Sequence, residues 1–600
     1  MTQTLGDRSV EALTPDDAAA AVAGWLARFE EALVAHDASA LTGLFAAEST
    51  FRDLLVFGWD FRNFVGARDI GEGLAKLSTE REIRRPFVIR SDREIAVQEM
   101  GGNEHVLSFI SFATEVGSCG GFLRLQRNAS GEVTALGFVV QLDELEGFPE
   151  AIGDHRPDGR THGAFVGRRT WADDHDPEFT SADPQVVIVG AGHSGLIQAA
   201  RLIRLGISTV VLERNERVGD NWRKRYASLA LHDPYEVAQL PYMPVPESWP
   251  RFTPKDKFGD LLEAYATLLD VPVWTSASVS NVHYDEQASQ WVCDVDRPGK
   301  PTRTLRSGHL IMATGANTIP VMPEIPDADK FRGEIVHSSA YAGGDAYKPR
   351  TALVVGAGTS GHDVAQDLAE HGVAVTLLQR SASLVVNIGT IHALNYAPWM
   401  TMSLPTEDAD LMGAETPFGV YPSLGKDWMA AAKAMDKDLY SALEDSGFDL
   451  GWGPDGTGLL GLVFGANKFS YYYNVGASDL IVAGKIKVDQ GSIERFTESG
   501  VVLDDGTVID ADLVVFATGF CKPRESNRPV LGDVVDELPE INKVGEDGEL
   551  TAVWRHSGKD RLWFSMATGI LYSRFYSKLL ALQIKAIEEG IIPASAPTSS

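Results

Sequence analysis

Residues 184–214 read PQVVIVGAGHSGLIQAARLIRLGISTVVLER, and the fold follows from this stretch. An apolar run, Val186 to Val189, leads into Gly190, Gly192 and Gly195 in the pattern GxGxxG, and a second apolar run, Thr209 to Leu212, ends on Glu213. The order is strand, tight turn, helix, strand, acid. The first glycine permits the turn, the second lets a pyrophosphate approach the backbone, and the third lets the helix pack on the strand, while the helix N-terminus offers free N–H groups to the phosphates. Glu213 would then accept from ribose hydroxyls. Glycine-rich turns are common, but this one has the strand before it, the helix after it and the acid at the right spacing.

The pattern recurs at residues 352–381, ALVVGAGTSGHDVAQDLAEHGVAVTLLQRS, with Gly356, Gly358 and Gly361 after a strand and a further strand from Val375 to Leu378. Here the acid is replaced by Gln379 and Arg380, and a cation at that position would pair with a 2′-phosphate that an acid would repel. The first site therefore suits an adenine dinucleotide with free ribose hydroxyls, and the second suits NADP. Two dinucleotides on one chain imply a flavin and a nicotinamide exchanging hydride.

Six hundred residues are too many for one core, so about three domains are expected. A net charge of −30 argues against nucleic acid or an anionic membrane as partner. Cys119, Cys293 and Cys521 are widely separated and form no CxxC, so neither a disulfide framework nor a zinc site is indicated, and no metal is expected. The N-terminus lacks a basic stretch followed by an apolar one, and no run of 18 apolar residues occurs; a soluble cytoplasmic protein is the expectation.

Ahead of the first glycine motif, Ala18, Val22, Trp25, Leu26, Phe29 and Leu33 fall on one helix face, with Asp16 or Asp17 placed to cap it. A short helix is predicted over Ala38 to Phe45, then strands over 87–89, 95–100, 106–116, 122–126 and 133–141. Helices followed by a long antiparallel sheet suggest a separate α+β domain over 1–145. Asp53, Asp60 and His105 are its candidate acid/base residues, although nothing in the sequence brings them together. Residues 146–183, rich in Gly, Pro, Asp and Arg, read as a linker; the spacing of His155, His162 and His175 within it fits no metal motif.

Beyond Glu213, the segment Gly219-Asp220-Asn221-Trp222 resembles the GGxW turn of flavin monooxygenases, and Trp222 would lie near the flavin. The strand Leu310 to Met312 runs into Ala313-Thr314-Gly315, where small residues let backbone pass close to a cofactor. Residues 331–341 read FRGEIVHSSAY. This FxGxxxHxxxY pattern, together with both glycine motifs, resembles class B flavoprotein monooxygenases, and Tyr341 favours the flavin-containing monooxygenases over the Baeyer–Villiger enzymes. The segment from Ser39 to Ile70 and the order of the elements in this region resemble the NTF2-like (SnoaL-like) cone fold.

The resemblance implies an α/β fold class with two Rossmann-type dinucleotide-binding domains preceded by an α+β NTF2-like cone. The FAD-binding domain would occupy 184–345, the NADP-binding domain with a substrate-side insertion 346–510, and the returning part of the FAD domain with a disordered tail 511–600. Asn221, Trp222, His337 and Gly519 join the glycines, Glu213 and Arg380 in binding FAD and NADPH. Ala517-Thr518-Gly519-Phe520 marks the crossing back to the FAD domain, and the helix from Leu571 to Glu589 would point its N-terminus at the flavin ring. NADPH would reduce FAD, and a C4a-(hydro)peroxyflavin would pass one oxygen atom from O2 to a small organic substrate. The remaining implied partners are absent: no nucleic acid and no membrane, with a homodimer compatible.

His232 and Asp233, in the loop after the tryptophan turn, are the candidate catalytic residues. Flavin-containing monooxygenases commonly carry an Asn in this loop, and its absence weighs against simple N- or S-oxygenation. The LxLHxP segment is similar to one in YUCCA-type enzymes, which decarboxylate indole-3-pyruvate oxidatively. Asp233 with Arg380 could instead match the Asp and Arg of Baeyer–Villiger enzymes acting on ketones. A flavin reductase or oxidase without oxygen insertion is a further alternative; a disulfide reductase is disfavoured because no CxxxxC pair exists.

Overall fold

The computed structural model describes residues 13–592 except 101–102, 128–132, 160–161, 165, 169, 172–182, 349, 469 and 567–568. His175 and the C-terminal tail lie outside the described residues. The chain separates into two compact units: unit 1 comprises the stretch up to Pro157 with Glu407–Pro417 and Glu546–Glu549, and unit 2 the remainder.

In unit 1 the order is α1 (Pro15–Val34), α2 (Ala38–Thr42), β1 (Phe45–Leu54), β2 (Phe61–Val65), α3 (Ala67–Leu77), β3 (Ile83–Ile89), β4 (Ala96–Met100), β5 (Asn103–Thr114), β6 (Gly117–Arg127) and β7 (Val133–Leu145). The sheet runs β2-β1-β7-β6-β5-β3, with β4 also on β5. Only β1 and β7 pair in parallel. Thr14, not Asp16 or Asp17, caps α1, its hydroxyl accepting from the Asp17 amide at 3.2 Å. The apolar face of α1 is buried: Trp25 stacks on Phe29 and meets Phe45 and Phe138 edge-on, and its indole N–H donates to the Leu44 carbonyl. The helix predicted to reach Phe45 stops at Thr42, because Phe45 already belongs to β1. β1, β2 and α3 are not among the predicted elements, although Ile70, Leu74 and Leu77 of α3 fall on one buried helix face.

Three acidic side chains from the two later segments of unit 1 meet arginines of its β-rich part. Glu549 accepts from Arg52 at 2.5 and 2.8 Å, with both side chains 1% exposed. Glu415 pairs with Arg124 at 2.5 Å, above Gly137, where a Cβ would fall 1.7 Å from the carboxylate. Asp408 pairs with Arg90 at 2.6 Å and with Arg93.

Unit 2 contains β8 (Val186–Val189), α4 (His193–Arg204), β9 (Thr209–Leu212), α5 (Lys255–Leu268), β10 (Val273–Trp274), β11 (Ser278–Asp285), β12 (Gln290–Asp296), β13 (Arg303–Ser307), β14 (His309–Met312), β15 (Glu334–His337), β16 (Thr351–Val355), α6 (Thr359–Glu370), β17 (Ala374–Gln379), β18 (Leu384–Asn387), α7 (Ile388–Asn395), α8 (Tyr421–Met435), β19 (Tyr471–Asn474), β20 (Ile486–Gln490), β21 (Ile493–Phe496), β22 (Gly500–Leu503), β23 (Val508–Asp510), β24 (Leu513–Phe516), β25 (Leu562–Phe564) and α9 (Ile570–Glu588). Two five-stranded parallel sheets result, β10-β9-β8-β14-β25 and β15-β24-β16-β17-β20. Every residue of β8, β9, β14 and β24 is buried, as parallel strands covered on both faces require.

The sheets divide the chain differently from the ranges read off the sequence. β15, placed within the first dinucleotide domain by the boundary at 345, pairs with β24, and β24, beyond the boundary at 511, pairs with β16. Both strands belong to the second sheet, and among the later strands only β25 returns to the first. Between β17 and β20 the chain makes the helical insertion expected there, fastened by the parallel pair β18–β19. Among the described residues no helix is long and apolar enough to cross a membrane.

Candidate active site

The two glycine turns are built alike. Gly190 and Gly356 both have φ +109°, and a Cβ on either would collide with a carbonyl from the strand alongside, Ala313 O at 2.5 Å or Ala517 O at 2.7 Å. A Cβ on Gly195 or Gly361 would fall 2.0 or 1.8 Å from the carbonyl of the first glycine of its own motif. These four positions hold turn, helix and neighbouring strand together. The two Ala-Thr-Gly segments are thus the partners of the turns, and Gly315 and Gly519 follow at φ +82° and +80°.

The second glycine of the first motif is different. A Cβ on Gly192 would meet nothing nearer than Asn221 Nδ2 at 3.5 Å, so the space before it is open. No side chain caps the N-terminus of α4 at Gly192 or that of α6 at Gly358, so their amides are available to an anion. Two buried donors beside the first turn, His193 Nε2 and Trp222 Nε1, have no hydrogen-bond partner among the described residues. Burial pushes His193 down to about 4, so the ring is neutral at pH 7. The open backbone, uncapped amides and unsatisfied donors fit a dinucleotide.

Glu213 is buried at the end of β9. Its Oε2 accepts from the Ala191 amide at 2.9 Å and its Oε1 from the backbone and side chain of Asn215 at 2.8 and 2.7 Å, which fixes the carboxylate while leaving Oε2 a lone pair for a hydroxyl. Asn221 is exposed, and Trp222 packs edge-on against Phe258 of α5 at 4.9 Å.

At the second turn, Gln379 exchanges hydrogen bonds with the Asp449 backbone and is thereby occupied. Arg380 is exposed and has no ion pair among the described residues. His337 accepts at Nδ1 from the Ser339 amide, so its proton sits on Nε2, which donates to the Gly519 carbonyl at 3.1 Å. It therefore ties β15 to the loop after β24. Burial lowers its pKa. The Tyr341 hydroxyl donates to Asp367 of α6 at 2.6 Å, and Gly344 N to the same oxygen at 2.7 Å.

His232 and Asp233 come together with residues that the sequence did not single out. Asp233 Oδ1 accepts from the Tyr396 hydroxyl, just beyond α7, at 2.6 Å. Burial pushes the Asp233 carboxyl up, opposed by that hydrogen bond and by His232 and His392. Burial works against a charge on His232, but Asp363 at 3.5 Å, with Asp233, holds its pKa above the ordinary value. Asp363 also accepts from Tyr226 at 2.6 Å. Tyr473 hydrogen-bonds Tyr471, and its ring lies 6.5 Å from that of His232. Burial, with the Asp233 charge as a further cause, drives the phenols of Tyr396, Tyr473 and Tyr572 well above their usual range and that of Tyr471 up to about 12.

Both glycine helices touch this cluster near their first turns. Thr359, the first residue of α6, donates to the Tyr471 carbonyl at 2.8 Å, and Asp363 of the same helix holds His232. Ser194 of α4 hydrogen-bonds Ser573, next to Tyr572 on the first turn of α9, at 2.8 Å. The hydrogen-bond partner of Asp233 is thus Tyr396. The run of three tyrosines at 471–473 was the available sequence signal for this cluster.

In unit 1, Asp53 Oδ1 accepts from the amides of Val56 and Phe57 at 2.8 and 3.2 Å, Asp60 from that of Phe61 at 2.9 Å, and His105 lies on β5 opposite Gln98 and Gln126. The two aspartates shape a turn. Among the described residues no His, Cys, Asp or Glu group could hold a metal ion, and His155 and His162 are exposed.

Comparison with known proteins agrees with this architecture. The model of the flavin-binding monooxygenase-like family matches residues 183–408. Indole-3-pyruvate monooxygenase YUCCA1 of Oryza sativa subsp. japonica is 33% identical over 342 residues, 56% of this chain and 77% of that protein. Probable indole-3-pyruvate monooxygenase YUCCA4 of Arabidopsis thaliana is 33% identical over 342 residues, 56% and 75% of the two chains. In fold, the chain is similar to cyclohexanone monooxygenase bound to epsilon-caprolactone in the loose conformation, with a TM-score of 0.51 and 17% identity over 68% of this chain and 88% of that one. The open form of cyclohexanone monooxygenase gives 0.50, with the same identity and coverage. With two glycine cradles and these relatives, the chain belongs to the flavin-binding monooxygenase-like family and is a flavin monooxygenase.

Proposed function

We propose that this enzyme uses NADPH and O2 to transfer one oxygen atom to a small organic substrate held at the Asp233 cluster. Gly190, Gly192, Gly195, Glu213, Asn221 and Trp222 would hold FAD. Gly356, Gly358, Gly361 and Arg380 would hold NADPH, with His337 and Gly519 shaping the loop beside it. When bound, the flavin supplies the electron transfer from NADPH and the activation of oxygen.

The chain's own residues perform the positioning. Glu213 and the α4 amides fix one dinucleotide, and Arg380 offers its guanidinium to a 2′-phosphate. Tyr396 holds the Asp233 carboxyl, and Asp363 holds the His232 ring, so both groups have fixed directions. The tyrosines exclude water from the cluster while leaving hydroxyls to orient a substrate. The observation that carries this reading is that the first turn of α6 is hydrogen-bonded to the cluster through Thr359–Tyr471, while that of α4 is hydrogen-bonded through Ser194 to Ser573, the neighbour of Tyr572.

Oxygen transfer to a carbonyl carbon or a soft heteroatom is the reading this cluster supports best. Oxidative decarboxylation of a 2-oxo acid is a second reading, supported by the names of the relatives at 33% identity. Unit 1 would serve a binding, shielding or assembly role, and its helices and sheet order are compatible with an NTF2-like domain. The test is substrate-dependent NADPH oxidation with product analysis across ketones, sulfides, amines and 2-oxo acids. Oxidation that yields hydrogen peroxide with every candidate and never an oxygenated product would remove the proposal in favour of an oxidase.

A further inference from the structure

We infer that Arg52 is a positioning residue for the first turns of α9, acting through the two chain segments that it joins. Its consequence for the reaction rests on the monooxygenase reading above.

Arg52 holds two distant segments at once. Its Nε and Nη2 donate to Glu549, and its Nη1 donates to the Ala414 carbonyl at 2.8 Å. The same segments have further grips: Arg124 holds Glu415, and Asn63 donates to the Asp547 carbonyl at 3.0 Å and to Glu549 at 2.9 Å. Each segment then runs within a few residues to an aromatic side chain, Ala414 to Phe418 and Glu549 to Trp554. Phe418 lies 5.7 Å from Tyr572 and 5.9 Å from Tyr576, and Trp554 is stacked on Tyr576 at 4.9 Å. Two segments that meet at one guanidinium therefore meet again at one phenol ring.

The placement of Trp554 is imposed rather than locally favoured. Ala552 and Trp554 have φ of +63° and +57°, a region that residues with a side chain hold only when their surroundings enforce it. The buried indole Nε1 of Trp554 has no hydrogen-bond partner among the described residues. Neither the backbone nor the indole N–H gains from this position; the packing on Tyr576 and the anchorage at Glu549 maintain it.

α9 carries the effect to the site. Tyr572 and Tyr576 are one turn apart, and Ser573 between them is hydrogen-bonded at 2.8 Å to Ser194, in the first turn of α4 behind the first glycine motif. Packed helices move as stiff bodies, so a shift at Tyr576 is also a shift at Tyr572 and Ser573. A displacement of about 1 Å at a reacting site costs about 100-fold in rate.

The test loosens the segments without touching α9. Arg52→Met with Glu549→Leu replaces the buried ion pair by apolar groups and removes the donor to the Ala414 carbonyl. Gly137→Ala puts a Cβ 1.7 Å from the Glu415 carboxylate and so expels it from Arg124. Glu80→Gln, which breaks the exposed pair with Arg62, is the control. In the full-length, FAD-loaded proteins, hydrogen–deuterium exchange is followed over residues 574–583, and hydrogen peroxide release from NADPH is followed with no substrate added. Both loosened variants should exchange these amides about tenfold faster than wild type while unfolding at nearly the same temperature. Peroxide release should rise by about the same factor, because water reaches the flavin more freely, and the control should change neither. Exchange that speeds up only in residues 13–157, 407–417 and 546–549 would overturn the inference. Faster exchange over 574–583 with unaltered peroxide release would overturn the role of Arg52 in the reaction. If the exchange responds but the wild type itself oxidises no NADPH, the positioning holds and the monooxygenase reading fails.

Discussion

Replacing Gly192 by alanine separates cofactor binding from folding. The added Cβ would meet only Asn221 Nδ2, at an ordinary 3.5 Å, and the residue's φ of −74° suits alanine. The unliganded protein should keep its stability or gain up to about 1 kcal/mol, since alanine restricts the unfolded chain more than glycine does. The same methyl would stand where the FAD pyrophosphate must approach. Overpacking of that kind costs about 1–3 kcal/mol, which is roughly a 5- to 150-fold loss of FAD affinity. Gly195→Ala is the contrast: its Cβ would lie 2.0 Å from the Gly190 carbonyl, so the helix must part from the turn and the fold itself should suffer. FAD titration of the apoprotein, followed by fluorescence, gives the affinities, and thermal unfolding gives the stabilities. The reasoning is refuted if Gly192→Ala binds FAD within twofold of wild type, or if its apoprotein unfolds as early as that of Gly195→Ala.

Three further outcomes are expected. Arg380→Ala should raise the Kd for NADPH about 10- to 100-fold, the loss of a charged hydrogen bond to phosphate, and leave NADH unchanged; equal effects on both would show that Arg380 is not the 2′-phosphate partner. Burial raises Asp53 to about 6 from its ordinary 3.8, so its neutral form is favoured in the folded state. Its contribution to stability is therefore fully present below about pH 4 and lost as pH rises through about 6, by about 3 kcal/mol; Asp53→Asn should flatten that part of a urea-unfolding pH series, and an unchanged slope would count against the burial argument. Arg52→Ala would strand the buried Glu549 carboxylate and should cost about 3–5 kcal/mol, whereas an apolar pair, Arg52→Met with Glu549→Leu, should recover most of it in thermal unfolding; a single variant as stable as wild type would mean that the pair is not buried in solution.

The parts legible in the sequence were those governed by local backbone chemistry. Gly190 and Gly195 announce their turn because only glycine fits beside the Ala313 and Gly190 carbonyls, and the apolar runs of β8 and β9 announce strands buried on both faces. The two Ala-Thr-Gly segments were readable as close backbone passages, but not as the partners of the two glycine turns, because that pairing is a long-range contact. Sheet membership was less legible for the same reason: β15 and β24 are set by pairing with each other across about 180 residues of chain. The Asp233 cluster was legible only at Asp233 and His232. Tyr396, the β19 pair Tyr471 and Tyr473, and Tyr572 lie on three separate segments, and only the alternation within the β19 tyrosine run leaves a sequence signal. In unit 1, Glu415 and Glu549 look like surface acids in sequence and become buried only through arginines hundreds of residues earlier.

The most direct test of the oxygen-transfer account is to supply isotopically labelled dioxygen to the NADPH-reduced holoenzyme with a neutral aryl ketone or sulfide that accelerates NADPH oxidation. One labelled oxygen atom per NADPH should appear in the organic product. Label confined to hydrogen peroxide, with the organic compound recovered unchanged, would contradict it.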